Sequence, residues 1–188
     1  MARLSTKHLI FAVIFLICIV GGAIALYASA NGPWGYTDPV AYISSARSLD
    51  HGQGLGYYEG SAKFTLLTYY PPFYPLVLSL FGLTGVSLIA IARWFNIFAF
   101  SASIFISGFI FHRFNRTRAT GIVVSALMCA FPVMVMMFSS AYSEPLFILS
   151  FLSGGLCLLV YLNKDSTAKT TGQNSSKLDP PQSAESLI

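Results

Sequence analysis

The sequence predicts an all-α fold: a polytopic membrane helical bundle of about four transmembrane helices, with a long outer loop that carries short interfacial helices. Three observations predict it. Of the 188 residues, 55% are hydrophobic and 15% aromatic. Only 10% are charged, against about 25% in soluble globular domains, and mean hydropathy is +0.66. The apolar residues are gathered into blocks near the ~20 residues that a helix needs to cross a bilayer. A disordered chain and a water-soluble domain are both excluded by this composition.

The formal net charge of +4 does not mark a nucleic-acid partner, because the cations are scattered among short loops rather than gathered on one face. Cys18, Cys129 and Cys157 each lie inside an apolar run. They read as small packing residues, not as a disulfide framework or a metal cluster.

The first span is placed at residues 9–29, after Arg3 and Lys7. Ala28-Ser29-Ala30 has the small-residue pattern of a signal-peptidase site. The apolar core, however, exceeds the roughly 7 to 15 residues of a signal-peptide core, so an uncleaved signal anchor is expected. Residues 30–85 form the outer loop, and apolar character returns over Phe73–Phe111, too long a run for one helix. Gly82-Leu83-Thr84-Gly85 breaks it. The piece before that break reaches only ~15 Å as helix, which suits an interfacial or re-entrant segment.

Spans two, three and four are then placed at 86–111, 119–138 and 145–162, so that 1–162 is the membrane module and 163–188 a disordered tail rich in Ser, Thr, Lys, Gln and Pro. With this count Arg3, Lys7, Arg113, Arg116, Arg118, Lys164 and Lys169 share one side, as the positive-inside rule requires. Both termini are expected to be cytoplasmic. A rival count with a span at 72–91 puts the arginine loop outside and is rejected. The glycosylation sequons at Asn115 and Asn174 fall on the cytoplasmic side and read as chance matches.

The outer face then receives the 30–85 loop and Ser139–Glu144, and both contain carboxylates. Asp38 precedes Pro39, which suits a helix N-cap with proline at the first helical position. It also lies just beyond span one, where a carboxylate can act as general base toward an acceptor hydroxyl. Tyr69-Tyr70-Pro71-Pro72-Phe73-Tyr74-Pro75 imposes an extended approach and then a helix start. Its tyrosines suit the membrane interface, and Tyr70 and Tyr74 can equally line a sugar pocket. Arg93 is the least expected residue of any span, since an ionised group at depth costs at least ~2.5 kcal/mol unless paired or wet. It either snorkels to headgroups or binds a lipid phosphate. Glu144 opens span four, where acidic residues favour the helix N-terminus and Ser143 can cap, and it can also point toward Asp38. Asp50, His51 and Glu59 lack metal-ligand spacing and read as solvated loop positions. Gly52-Gln53-Gly54-Leu55-Gly56 reads as a flexible turn.

One series joins these segments: the signal anchor, Asp38-Pro39 followed by Ala46-Arg47-Ser48-Leu49, the Gly52-Gln53-Gly54-Leu55 turn, Tyr70-Pro71-Pro72-Phe73-Tyr74-Pro75, Ala92-Arg93-Trp94-Phe95-Asn96 and Tyr142-Ser143-Glu144-Pro145-Leu146-Phe147. It resembles the N-terminal portion of GT-C-type integral membrane glycosyltransferases, close to the bacterial dolichyl-phosphate-mannose-protein mannosyltransferase-like group, over roughly residues 8–162. The resemblance implies hexosyl or mannosyl transfer from a polyprenyl-phosphate sugar donor to an acceptor on the non-cytoplasmic face of a bacterial inner membrane. It makes Asp38 the catalytic base and Arg93, Tyr70, Tyr74 and Glu144 candidate substrate contacts. Many relatives carry a second acidic residue after the first, or a Glu-Lys pair before the proline; here Pro39 and Tyr69-Tyr70 stand there. No cofactor is called for, and a divalent metal is not indicated. The partners implied are the lipid-linked donor, membrane lipids, and the missing remainder of the enzyme or a partner subunit, since relatives typically have eight or more spans. The alternative is a non-catalytic small membrane protein that binds lipid headgroups or docks a larger membrane partner. A channel or transporter subunit fits less well, because spans one, three and four hold no ionisable residue to line an aqueous path.

Overall fold

The computed structural model describes residues 6–176, apart from 34, 36, 60–62, 116 and 118. Arg3, Arg116 and Arg118 of the topology argument, and the 177–188 part of the tail, lie outside the described residues. The chain divides into two compact units, Met1–Leu152 and Ser153–Ile188.

The protein is mainly helical. In chain order come α1 (Thr6–Ala28), α2 (Asp38–Asp50), strands β1 (Gly56–Glu59) and β2 (Lys63–Leu66), α3 (Phe73–Gly82), α4 (Leu88–Phe114), α5 (Thr120–Ala130), α6 (Pro132–Phe138) and α7 (Glu144–Ser176). Among the described residues, three helical segments are long and apolar enough to cross a membrane: His8–Ala28, Leu88–Phe114 and Glu144–Lys164. The α5–α6 pair makes a fourth if it is counted as one bent span.

Residues 119–138, expected as the third span, form two helices, Thr120–Ala130 and Pro132–Phe138, bent by 66°. Pro132 is the reason. Phe131 before it is extended, with φ −78° and ψ 114°, as the proline ring demands of its predecessor, and proline offers no N–H to continue the ladder. The fourth candidate span, Glu144–Lys164, lies where expected, but its helix α7 continues to Ser176, into the segment expected to be disordered. Extending an existing helix adds one hydrogen bond per residue fixed, so propagation succeeds where composition alone suggests disorder.

In the first unit α1, α4 and α5 pack on one another, and α6 covers their end. Ile14, Cys18, Phe100, Ile104, Cys129 and Phe138 form this core. Cys18 and Cys129 pack as expected, whereas Cys157 is exposed. Glycines let the helices approach closely. A Cβ on Gly108 would meet Ser125 Oγ and, 3.1 Å away, Ile14 Cγ2, while Ser125 Oγ donates to the Ile104 carbonyl at 3.3 Å across the α4–α5 contact. Small residues at such contacts are how membrane helices gain packing. Gly108→Ala is therefore expected to lower stability by about 1–3 kcal/mol through overpacking. Gly154→Ala, where a Cβ meets nothing within 4 Å, is expected to cost nothing. Thermal unfolding in detergent micelles checks both, and equal midpoints would contradict the packing argument.

A second core gathers Tyr42, Ala46, Tyr74, Leu78, Ala92 and Ala141, so the segment between α1 and α4 packs against the helices. The loop also holds an antiparallel hairpin, pairing Gly56 with Leu66 and Tyr58 with Phe64. A Cβ on Gly56 would strike the Phe64 ring at 2.5 Å, so the glycine makes room for the cross-strand aromatic. The Gly52–Gly56 stretch is thus the ordered approach to a strand. At the other end of the loop, α3 spans 10 residues, too short to cross a bilayer. In the second unit the described part is the helix continuing from Ser153 to Ser176.

Candidate functional site

Asp38 is the first residue of α2 and not its cap. Thr37 holds the N-cap position and makes no side-chain cap bond, so the capping role expected for Asp38 is absent. Pro39, with φ fixed for a helix start, sets the backbone there. The Asp38 carboxylate instead accepts a hydrogen bond from Thr37 Oγ1 at 2.9 Å. One turn on, Tyr42 shares its face of α2, as the i, i+4 spacing dictates.

Tyr70 and the two prolines after it lead into α3 as the sequence implied, and Tyr74 on the first turn is fully buried. Its ring meets the Tyr42 ring edge-on at 5.4 Å, and Tyr70 does the same from another side, also at 5.4 Å. Such edge-to-face pairs add to area burial. The Tyr74 hydroxyl donates to Asn96 Oδ1 at 3.4 Å. Asn96, 1% exposed, donates in turn to the Ser140 carbonyl. That amide ties α3, α4 and the 139–143 connection together. The connection then delivers Ser143, whose Oγ accepts from the Tyr42 hydroxyl at 3.0 Å and donates to Glu144 Oε2 at 3.4 Å.

These elements enclose a pocket of about 670 Å³ lined by Asp38, Tyr42, Tyr70, Tyr74, Ser143 and Glu144 among others. Four of the five residues singled out from sequence, Asp38, Tyr70, Tyr74 and Glu144, are thereby brought to one place from positions more than a hundred residues apart. Its lining mixes polar groups, Asp38, Ser143, Glu144 and Ser150, with the apolar side chains of Pro71, Phe73, Leu146 and Phe147.

The phenols here are held protonated. Burial raises Tyr42 above the ordinary 10.0, and the charges of Glu144 and Asp38 add to this, while the Ser143 hydrogen bond works the other way. Tyr70 is raised by burial first and then by Asp38, through its charge and as a hydrogen-bond acceptor. Tyr74 is raised by burial, offset by its bond to Asn96. All three stay neutral donors over the physiological range. A raised folded value means that the stabilising contribution is complete below the unfolded pKa and is lost as pH climbs through the folded one. Tyrosinate absorbance is therefore expected to develop for these residues only above pH 10, with stability falling in that window. Tyr42→Phe should remove one of the late-titrating phenols, and an unchanged titration curve would contradict the assignment.

Arg93, the fifth residue, does not line this pocket. Its Nε donates to Ser29 Oγ at 3.3 Å and its Nη2 to the Leu26 carbonyl at 3.1 Å. Both partners lie at the C-terminal end of α1, where a cation complements the helix dipole. Asp50 is not a free loop carboxylate either, because Ser79 Oγ donates to it at 2.6 Å and ties α2 to α3. Among the described residues no group of three or more His, Cys, Asp or Glu is placed to hold a metal ion.

Sequence reasoning did not single out Tyr42, Ser143 as a link, or Asn96. A polar amide in an apolar span and a tyrosine four residues after Asp38 were the available signs. Comparison of the chain with protein-family models, curated proteins and solved structures finds no match to any of them.

Proposed function

We propose that this chain is an integral membrane glycosyltransferase, or the N-terminal module of one, that transfers a sugar from a polyprenyl-phosphate donor to an acceptor on the non-cytoplasmic face. The observation that carries this reading is one pocket whose lining brings Asp38 and Glu144 together with tyrosines and apolar side chains. A lipid-linked sugar calls for both kinds of group, with a polyol that hydrogen-bonds to carboxylates and phenols and a prenyl chain that lies against apolar side chains.

In the proposed step the Asp38 carboxylate takes the proton of the acceptor hydroxyl as its oxygen forms a bond to the anomeric carbon. The bond from that carbon to the phosphate oxygen breaks, and the polyprenyl phosphate leaves with the electron pair. Tyr70 and Glu144 hold sugar hydroxyls, and Tyr74 supports the wall. None of the pocket's described lining residues is a cation. Four spans, with α5 and α6 counted as one, would place both termini in the cytoplasm and the pocket at the outer surface. The alternative, a non-catalytic headgroup binder, draws no support from Arg93, which is committed to α1.

The test is transfer of radiolabelled sugar from polyprenyl-phosphate donors in membranes that carry this chain, beside empty membranes. Incorporation above the empty control supports the reading. No transfer by a correctly inserted chain overturns it for the chain acting alone.

A further inference from the structure

We propose that a second pocket, formed between the C-terminal end of α2 and the β1 strand, binds a phosphate group. It has a volume of about 280 Å³ and is lined by Ser44, Arg47, Ser48, His51, Gln53 and Tyr58. This site is independent of the glycosyltransferase reading. Nine residues separate Asp38 from Arg47, about two and a half helical turns, so the two point to opposite sides of α2 and cannot hold the same group.

The lining set is rich in donors. It offers a guanidinium, a side-chain amide and three hydroxyls, with an imidazole beside them and no carboxylate among the described lining residues. That is more than the two oxygens of a carboxylate use and matches the several oxygens of a phosphate. Arg47 brings a planar fork suited to two of those oxygens at once.

Local structure lessens what would repel an anion. The end of a helix carries exposed carbonyls and partial negative charge, and here three of the last four carbonyls accept hydrogen bonds. The Arg47 carbonyl receives the His51 backbone N–H at 3.1 Å, the Leu49 carbonyl that of Gly52 at 2.9 Å, and the Ser48 carbonyl that of Gln53 at 2.9 Å. Gly52 and Gly54, with φ of 69° and 95°, supply the left-handed turn that folds Gln53 back over the helix end. His51 Nδ1 meets the Arg47 carbonyl at 2.7 Å. Since a carbonyl only accepts, Nδ1 donates this bond, which fixes the ring at the pocket edge and leaves Arg47, Gln53 and the hydroxyls as the donors for a ligand. The neighbouring acid, Asp50, is tied to α3 through Ser79 at 2.6 Å.

Such a group can belong to a lipid headgroup or to a soluble phosphate. The experiment is calorimetric titration of inorganic phosphate into the full chain in maltoside micelles in phosphate-free buffer. Saturable binding is expected, weakened at least tenfold by Arg47→Gln and to a lesser degree by Ser44→Ala. Lys63→Gln, which removes a cation outside the pocket, should leave it unchanged. Repeating the titration in phosphatidylglycerol nanodiscs separates the sources. Loss of phosphate binding there assigns the site to a lipid headgroup, and persistence assigns it to a soluble phosphate, either of which supports the site. Absence of saturable binding in micelles, or equal weakening by Lys63→Gln and Arg47→Gln, overturns it.

Discussion

Asp38→Asn is expected to lower sugar transfer by about 100-fold or more, the range in which a positioned general base contributes, while membrane insertion and thermal stability stay unchanged. The substitution keeps size and hydrogen bonding but removes basicity. An amide oxygen can still accept the bond that Thr37 Oγ1 now donates at 2.9 Å. The start of α2 does not depend on the carboxylate, since Thr37 and not Asp38 holds the N-cap position and Pro39 presets the helix. A structural role alone would therefore leave transfer intact, and a loss of activity without a loss of stability separates base from scaffold. Glu144→Gln is the informative partner. Glu144 is joined to Tyr42 through Ser143, so its replacement should weaken substrate binding and disturb that chain of hydrogen bonds without removing the base. Transfer by Asp38→Asn at the original rate would sink the proposed mechanism.

Much of this arrangement is legible in the chain as residues in order, and the rest is not, for physical reasons. Apolar blocks report helices directly, because a bilayer-length run has no other way to satisfy its backbone. Asp38 and Glu144 stand out as carboxylates beside prolines at the edges of such blocks. What periodicity cannot report is which edges meet. The contact of Tyr42 with Ser143 joins residues 101 positions apart, and nothing local to either predicts it. Arg93 shows the same limit. Its cost in an apolar helix was readable, with snorkelling to headgroups or a lipid phosphate as the alternatives, and the fold adds bonds to the end of α1 that no local pattern predicts. The hairpin escaped notice because its strands are 4 residues each, too short for alternation to stand out. The bend in the third span was marked by Pro132, whose effect on Phe131 is local and readable.

Asn96→Leu is expected to destabilise the protein by about 1–3 kcal/mol and to lower transfer as well, because one side chain fixes the backbone that delivers Ser143 and Glu144. The leucine fills similar space in α4 but can neither accept from Tyr74 nor donate to Ser140. Hydrogen bonds between membrane helices average only about 0.6 kcal/mol, yet a buried group left without a partner costs about 1–3 kcal/mol, and the second figure governs here. The two bonds can be told apart. Tyr74→Phe removes only the hydroxyl, whose bond to Asn96 is long at 3.4 Å, and should cost under about 1 kcal/mol. Asn96→Asp keeps an acceptor for Tyr74 but sets a carboxylate against the Ser140 carbonyl in a site that is 1% exposed. It should be the worst of the three, since burying a charge against an acceptor compounds desolvation with repulsion. The order Tyr74→Phe, Asn96→Leu, Asn96→Asp in falling unfolding midpoint would identify the bond to Ser140 as the tie that matters. Equal midpoints for Asn96→Leu and the unaltered protein would show that the 139–143 connection holds its place without it.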